Sequence, residues 1–299
     1  MGQKVLIQLG SESLGDNISW IPHVREFQLL HGVDVDVYVT PKWRDLFEDG
    51  YPSLNFLDQP LKAPEEAKNY GYTQVCQIGV HDMADLVKPN ICHATDLLRL
   101  PYAEIKPPIS LPANLKNNFD KPYVCIATQS TAQCKYWSNP TGWEQTVEYL
   151  RSLDYEVVCI DHYASFGVAP NFNQVPNNVI KKCWAKNGDE FFPISDRVND
   201  LYFCDFFIGL GSGLSWLAWA LHKPVVLISG FSATKTEFYT PYRVINKSVC
   251  NSCWNDPECV PFDKNDWMWC PRHKNTPRHF ECSKEITFEM VKKQIDRLL

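Results

Sequence analysis

The chain has 299 residues, 44% of them hydrophobic, and a net charge of −6 from 29 basic and 35 acidic side chains. That length supports a sizeable core and two domains rather than one. The acidic balance excludes a uniformly basic nucleic-acid-binding surface, and no run approaches the ~18 apolar residues of a membrane-spanning helix.

In chain order, "KVLIQLG" (4–10) is a short apolar run ending in Gly, the pattern of a buried parallel strand. "GDNISWIPHVREFQLLHG" follows, with Ile18, Ile21, Val24, Phe27 and Leu30 at three-residue steps. That spacing predicts a helix, with Pro22 near its first turn and Gly32 after its end. "DVDVYVT" (34–40) alternates like a strand, "KWRDLFEDG" reads as a short helix, and "LNFLD" and "TQVCQIG" are further strands. "CHATDLLRLP" is a helix stopped by Pro101. The Pro-rich stretch 105–122 has no apolar period and is the expected linker.

The alternation then restarts. "YVCIAT" and "YEVVCID" are strands around the helix "GWEQTVEYLRSL", and "DFFIGLG" and "PVVLISG" are strands around "SGLSWLAWALHK". The chain ends in the amphipathic helix "ITFEMVKKQIDRLL". The expected fold class is α/β, with two Rossmann-like doubly wound domains at 1–118 and 119–299 facing a cleft. The second includes a Cys-rich segment, 250–282, and the C-terminal helix.

Four features bear on chemistry. "LGSESLGDN" is a Gly-containing turn after the first strand, but it lacks G-x-G-x-x-G and so is no dinucleotide fingerprint. Its Asp16 is either a helix N-cap or a general base at the carboxyl end of a strand. Gly211, Ser212, Gly213 and Ser215 form either a diphosphate-binding turn at a helix N-terminus or an ordinary tight turn. Lys135, in the loop after "YVCIAT", is either a phosphate contact or a solvated surface lysine.

The fourth is the cysteines. The polar N-terminus breaks up any signal peptide, and twelve cysteines then point to a reducing compartment, so a cytoplasmic location is expected. Cys76, Cys92, Cys125, Cys134, Cys159, Cys183 and Cys204 are scattered and read as small buried hydrophobes. Cys250-x2-Cys253, then Cys259, Cys270 and Cys282, is the spacing of a tetrahedral thiolate site that suits zinc or iron. Mixed charge around it, with Lys264 and Arg272 opposed by Asp256 and Asp266, disfavours a nucleic-acid finger. Trp254, Trp267 and Trp269 are expected to pack around the metal.

"SLGDNISWIPHVREF" resembles the N-terminal loop and helix of the bacterial heptosyltransferases, inverting glycosyltransferases of the GT-B fold. "FFIGLGSGLSWLAWALHKPVVLISGFS" and the C-x2-C-x16-C-x11-C frame are closer to the bacterial autotransporter heptosyltransferases. That resemblance implies transfer of heptose from ADP-heptose to serine residues of a protein. It implies Asp16 as catalytic base, Lys135 on the donor phosphates, and Ser212, Gly213, Leu214 and Ser215 as the diphosphate turn. It also implies a structural iron on Cys250, Cys253, Cys270 and Cys282, with Cys259 an extra thiol and the cysteines distant from the reacting atoms. No catalytic metal is expected, since "DVD" (34–36) lies within a predicted strand. Family members carry a further N-terminal region, whereas here the first strand begins at Lys4, which leaves acceptor and oligomer open. Two alternatives remain: a phage-type DNA glycosyltransferase acting on hydroxymethylcytosine with a UDP-pentose such as UDP-arabinose, and a non-catalytic metal-stapled binding module.

Overall fold

The computed structural model describes residues 3–61, 64–79, 87–168, 173–181, 193–259, 262–263 and 265–299. Cys183 and Lys264 lie outside the described residues. The backbone divides into two compact units, Met1–Leu111 and Pro112–Leu299, and the break falls within the Pro-rich stretch 105–122.

The first unit runs β1 (Lys4–Leu9), α1 (Leu14–His31), β2 (Asp34–Tyr38), α2 (Pro41–Arg44), β3 (Asn55–Phe56), α3 (Pro64–Asn69), β4 (Gln74–Ile78) and α4 (Cys92–Leu98). Its four strands form a parallel sheet in the order β3-β2-β1-β4. β1 is paired on both sides, so every side chain from Val5 to Leu9 is buried, which is why its sequence is a nearly unbroken apolar run.

Helix α1 starts earlier than its proline suggests. Pro22 lies inside the helix rather than in its first turn, and its ring nitrogen leaves the carbonyl of Ile18 without the usual helical donor. Residues on every side of the first three turns are buried, among them Ile18, Trp20, Ile21 and Val24. Gly32 ends the helix at φ 60°, and its N–H donates to the carbonyl of Gln28; glycine takes this left-handed conformation without a Cβ penalty. "KWRDLFEDG" is helical only over α2, followed by a 3₁₀ turn at Glu48–Gly50. Adjacent Leu46 and Phe47 are both buried, and leaving the helix lets both turn inward.

The second unit runs β5 (Tyr123–Ala127), α5 (Gly142–Ser152), β6 (Glu156–Cys159), β7 (Ser165–Phe166), β8 (Asn173–Gln174), β9 (Ile180–Lys181), α6 (Ile194–Phe203), β10 (Phe206–Leu210), α7 (Gly213–Ala220), β11 (Val225–Ile228), β12 (Arg243–Val244), α8 (Glu281–Lys284) and α9 (Phe288–Leu298). Six strands form a parallel sheet in the order β12-β11-β10-β5-β6-β9, and β7 and β8 form a small antiparallel pair. β5, β10 and β11 are buried along their whole lengths. Val147 and Leu150 of α5 and Val291 and Ile295 of α9 complete one core with Val124, Ile126, Ile208 and Val226. Thr287 caps α9 by accepting the N–H of Met290.

Of the scattered cysteines, Cys76, Cys125, Cys134, Cys159 and Cys204 are buried and Cys92 is half-buried. Among the described residues, no helix is long and apolar enough to cross a membrane.

Candidate functional site

Asp16 is not the N-cap of α1. Ser13 occupies the cap, and Asp16 is the third residue of the helix, half-buried in the first turn, where the helix dipole favours a negative charge. Its carboxylate is held from two directions. Ser11 Oγ donates to Oδ2 at 2.6 Å, and Asn90 Nδ2 donates to Oδ1 at 3.2 Å. Asn17 Nδ2 ties the intervening loop by donating to the carbonyls of Ser11 and Ser13, both at 2.8 Å. Trp43 Nε1 donates to the carbonyl of Glu12 at 2.9 Å. The loop that carries the candidate base is thus fixed by side chains from α1 and α2.

In the second unit the donor candidates come together at the carboxyl ends of β5 and β10. Lys135 ends a 3₁₀ turn at Gln133–Lys135 and is half-buried. Its Nζ donates to the carbonyl of Gly211 at 3.0 Å and lies 6.0 Å from the centre of the Phe231 ring. It is therefore no freely solvated surface lysine. Ser212 is the N-cap of α7, and Ser212, Gly213 and Leu214 are partly exposed. The N–H groups of the first helical residues have no intrahelical acceptor and point out of the helix end, a suitable cradle for an anion. Ser215 faces inward: it is fully buried, its Oγ donates to the carbonyl of Leu210 at 2.5 Å, and its N–H donates to the carbonyl of Ser212 at 3.1 Å. It closes the turn.

Two buried carboxylates, not singled out in the sequence, brace this end of the sheet. Asp161, just past β6, accepts the N–H and Oγ1 of Thr128, each at 2.7 Å, and the N–H of Gln129 at 3.1 Å. Burial pushes its carboxyl above the usual range, and the Thr128 and Gln129 hydrogen bonds oppose that. Glu237 accepts Ser232 Oγ at 2.5 Å and Arg243 Nη1 at 3.2 Å, and both members of the ion pair are buried. A Cβ on Gly211 would lie 2.3 Å from Glu237 Oε1, so Gly211 is required by this close approach. The partners of Asp161 lie 33 and 32 residues away and those of Glu237 only 5 and 6, but neither carboxylate sits in a motif, so no local signal marks them.

The Cys-rich segment is laid against this same edge. Ser252 N–H donates to the carbonyl of Gly230 at 2.9 Å and Trp254 N–H to that of Phe231 at 3.1 Å. Cys134, Phe231, Cys253, Cys259, Trp269, Cys270 and Phe280 form one buried cluster, with Cys250, Trp254 and Phe262 packed on it. Trp254 and Trp269 pack in this cluster, whereas Trp267 packs edge-on to Phe166, with ring centres 5.3 Å apart. Burial, then the neighbouring Cys270 and Cys250, pushes the Cys282 thiol up to about 12. Burial, then Cys250, Cys259 and Cys282, raises Cys253 further. Desolvated thiols that raise one another in this way repel as anions, a donor set that a soft cation would neutralise. Cys259 also joins the group, hydrogen-bonded to Cys253.

At the rim, Cys250 Sγ, a His273 ring nitrogen and a Glu281 carboxylate oxygen lie within 4.8 Å of one another, and Arg272 Nη1 is 3.8 Å from Cys250 Sγ. His273 and Glu281 were not singled out in the sequence; "CPRHK" and "FEC" flank two of the cysteines and carried the signal.

The Cys-rich segment also packs on the loop that carries Lys135. Cys134, next to Lys135, belongs to the cysteine cluster. Beyond Cys282, Ser283 Oγ donates to the carbonyl of Tyr136 and accepts the N–H of Ser138 at 2.7 Å. Trp137 Nε1 donates to the carbonyl of Ile286 at 2.8 Å. The segment after the fourth cysteine therefore clamps the residues directly after Lys135. The apolar ring packing of Phe231 requires the two parts to be adjacent, which linear spacing does not reveal.

No family model matches the chain. BAHTCr, an autotransporter heptosyltransferase of Citrobacter rodentium, is 40% identical over 301 residues, covering 98% of this chain and 70% of that protein. The autotransporter heptosyltransferase TibC of Escherichia coli is 38% identical over 98% of this chain and 71% of its own length. BimC of Burkholderia thailandensis, described as an inactive autotransporter heptosyltransferase, is 33% identical over 98% of this chain and 68% of its own length. The crystal structure of TibC, a dodecameric iron-containing glycosyltransferase, superposes with a TM-score of 0.87 at 38% identity, covering 100% of this chain and 77% of that one. The structure of E. coli ADP-heptose heptosyltransferase II, at 15% identity and a TM-score of 0.63, shares the fold. The parallel α/β architecture is that of the GT-B glycosyltransferases, and the chain belongs to the autotransporter heptosyltransferase family.

Proposed function

We propose that this chain is an inverting transferase that moves heptose from ADP-heptose to serine hydroxyls of an autotransporter, in the cytoplasm. The observation that carries the assignment is the match, at a TM-score of 0.86 over 100% of this chain, to TibC in complex with ADP-D-β-D-heptose.

Asp16 accepts the proton of the acceptor hydroxyl as that oxygen bonds to the anomeric carbon. The bond from that carbon to the diphosphate breaks, and its electron pair leaves on ADP. The leaving diphosphate is stabilised by the N-terminus of α7 at Ser212–Leu214 and by Lys135, with Gly211 and Ser215 shaping the turn. Geometry at Lys135 supports this role, since its ammonium is already anchored on the Gly211 carbonyl.

Cys250, Cys253, Cys270 and Cys282 are the residues that would hold the iron. When bound, the metal cross-links the two ends of the Cys-rich segment and neutralises clustered thiolates. Arg272 and His273 lie beside Cys250.

Thermal-shift titration with ADP-heptose, ADP and UDP-arabinose tests the donor: a ligand of the native state raises the melting temperature. ADP-heptose is expected to do so and UDP-arabinose not. A shift with UDP-arabinose and none with ADP-heptose would favour the DNA-modifying alternative. No shift with any nucleotide sugar would favour a non-catalytic binding module, the outcome that the inactive relative BimC makes worth measuring.

A further inference from the structure

Asn90 stands between β4 and α4, outside any motif, and makes contacts that concern Asp16 alone among the candidate site residues. Its side-chain nitrogen is 3.2 Å from Asp16 Oδ1 and 2.8 Å from Ser19 Oγ. Its backbone carbonyl accepts the indole N–H of the fully buried Trp20 at 2.9 Å.

The orientation of the amide follows from the hydroxyl beside it. Ser19 Oγ donates its hydrogen to the backbone carbonyl of Asp16 at 2.9 Å. Toward Asn90 that oxygen is therefore an acceptor, and Asn90 must offer its NH2. One amide hydrogen goes to Ser19 and the other to Asp16. Ser19 holds the side-chain amide and the Trp20 bond holds the backbone that carries it, so Asn90 presents a fixed donor to one carboxylate oxygen.

Ser11 does the same for the second oxygen. Its Oγ accepts the N–H of Ser13 at 3.1 Å, which leaves its hydrogen for Asp16 Oδ2. The carboxylate is thus gripped by donors from two segments, one five residues before it and one 74 residues after it. A short helical side chain has free rotation about χ2, and a general base must keep a lone pair on the proton it takes.

We propose that Asn90 is a positioning residue for heptosyl transfer: it fixes the rotation of the Asp16 carboxylate, takes no proton and touches no substrate. This rests on Asp16 being the base. A neutral amide suits the post, because a carboxylate there would repel Asp16 and an aliphatic side chain would remove the fixed donor to Oδ1.

The test is a double-mutant cycle between Asn90→Ala and Asp16→Asn. Single-turnover rates and the donor KM are measured with ADP-heptose and a serine-rich autotransporter passenger fragment. Loss of a hydrogen bond to a charged group is expected to lower the rate of Asn90→Ala roughly tenfold to a hundredfold, with KM for ADP-heptose within about twofold of wild type. The double variant is expected to be no slower than Asp16→Asn alone, because a residue that acts through Asp16 has nothing left to position. Asn90→Leu, which keeps the volume and removes both N–H groups, replaces Asn90→Ala if the latter fails to fold. A double variant slowed by the full Asn90 factor beyond Asp16→Asn would overturn the positioning role and leave the base intact. A wild-type rate for Asp16→Asn would overturn the base, and the role of Asn90 with it.

Discussion

The two ends of the proposed chemistry are built differently. Around Asp16 the side chain is half-buried and held by a few hydrogen bonds between neutral donors and one carboxylate, from Ser11 and Asn90. Around the proposed donor turn, buried Asp161 holds the backbone N–H groups of Thr128 and Gln129, and buried Glu237 holds the side chains of Ser232 and Arg243. The Cys-rich segment and the residues beyond it are bonded to the loop that carries Lys135. A base has to be aimed but must stay open to its acceptor. A diphosphate turn has to present backbone N–H groups at fixed spacing, and rigidity there costs no access. Single substitutions near Asp16 should therefore cut rate and spare stability, whereas damage on the donor side should affect both.

The largest separation is expected from Asp16→Asn. Removing the base should lower transfer by roughly 10²–10⁴-fold, while metal content and the thermal shift with ADP-heptose stay at wild-type values. A variant that lost donor affinity as well would merge the two regions and break the contrast.

Metal loss comes next. Cys253→Ser, or chelation of the wild type, is expected to lower the melting temperature by on the order of 10 °C, and to raise the KM for ADP-heptose because the Lys135 loop packs on the same cluster. Metal analysis of Cys270→Ser and His273→Ala sharpens the ligand set. The four-thiolate site is expected to be lost in the first and retained in the second; the reverse would favour the Cys250–His273–Glu281 group.

The third effect is on pH. His23, buried in α1, has its pKa lowered to about 4 by burial, and among the described residues its Nε2 has no hydrogen-bond partner. The unfolded chain, with an ordinary histidine near 6.5, binds the proton that the folded chain refuses between those values. Stability is therefore fully present above about pH 6.5 and falls as pH drops toward 4, by about 3 kcal/mol from this residue. Denaturant unfolding from pH 7 to 4 should show the loss, and His23→Leu should flatten it.

The smallest is Gly211→Ala. The added methyl meets Glu237 Oε1 and must push aside a carboxylate that Ser232 and Arg243 hold in place. Overpacking of this kind costs about 1–3 kcal/mol, and is expected to appear as a higher KM for ADP-heptose with little change in the unfolding temperature of the first unit.

Much of this frame was legible in the sequence because it is local. β1, β5, β10 and β11 are apolar runs bounded by turns, and α9 shows its apolar stripe directly. The turn between β10 and α7 was legible because Gly211, Ser212 and Gly213 are consecutive small residues. The short strands β7, β8 and β9, at two residues each, carry no periodicity to detect. Asp16 looked like a cap because Asp is common there, but the helix begins two residues before it and takes Ser13 as its cap. Asn90 and Asp161 went unseen because each acts on a residue brought close only by the fold, and Glu237 because its nearby partners Ser232 and Arg243 form no motif. The Cys-rich segment announced a metal site by its spacing, yet its packing on Phe231 and against the Lys135 loop is tertiary information.

The central claim is heptosyl transfer to protein with Asp16 as base. Its most direct test is the intact mass of a serine-rich autotransporter passenger fragment after incubation with the purified protein and ADP-heptose. Wild type is expected to add whole heptosyl units that map to serines, and Asp16→Asn to add none in the same time. An unchanged mass with wild-type protein, or equal glycosylation by Asp16→Asn, would contradict it.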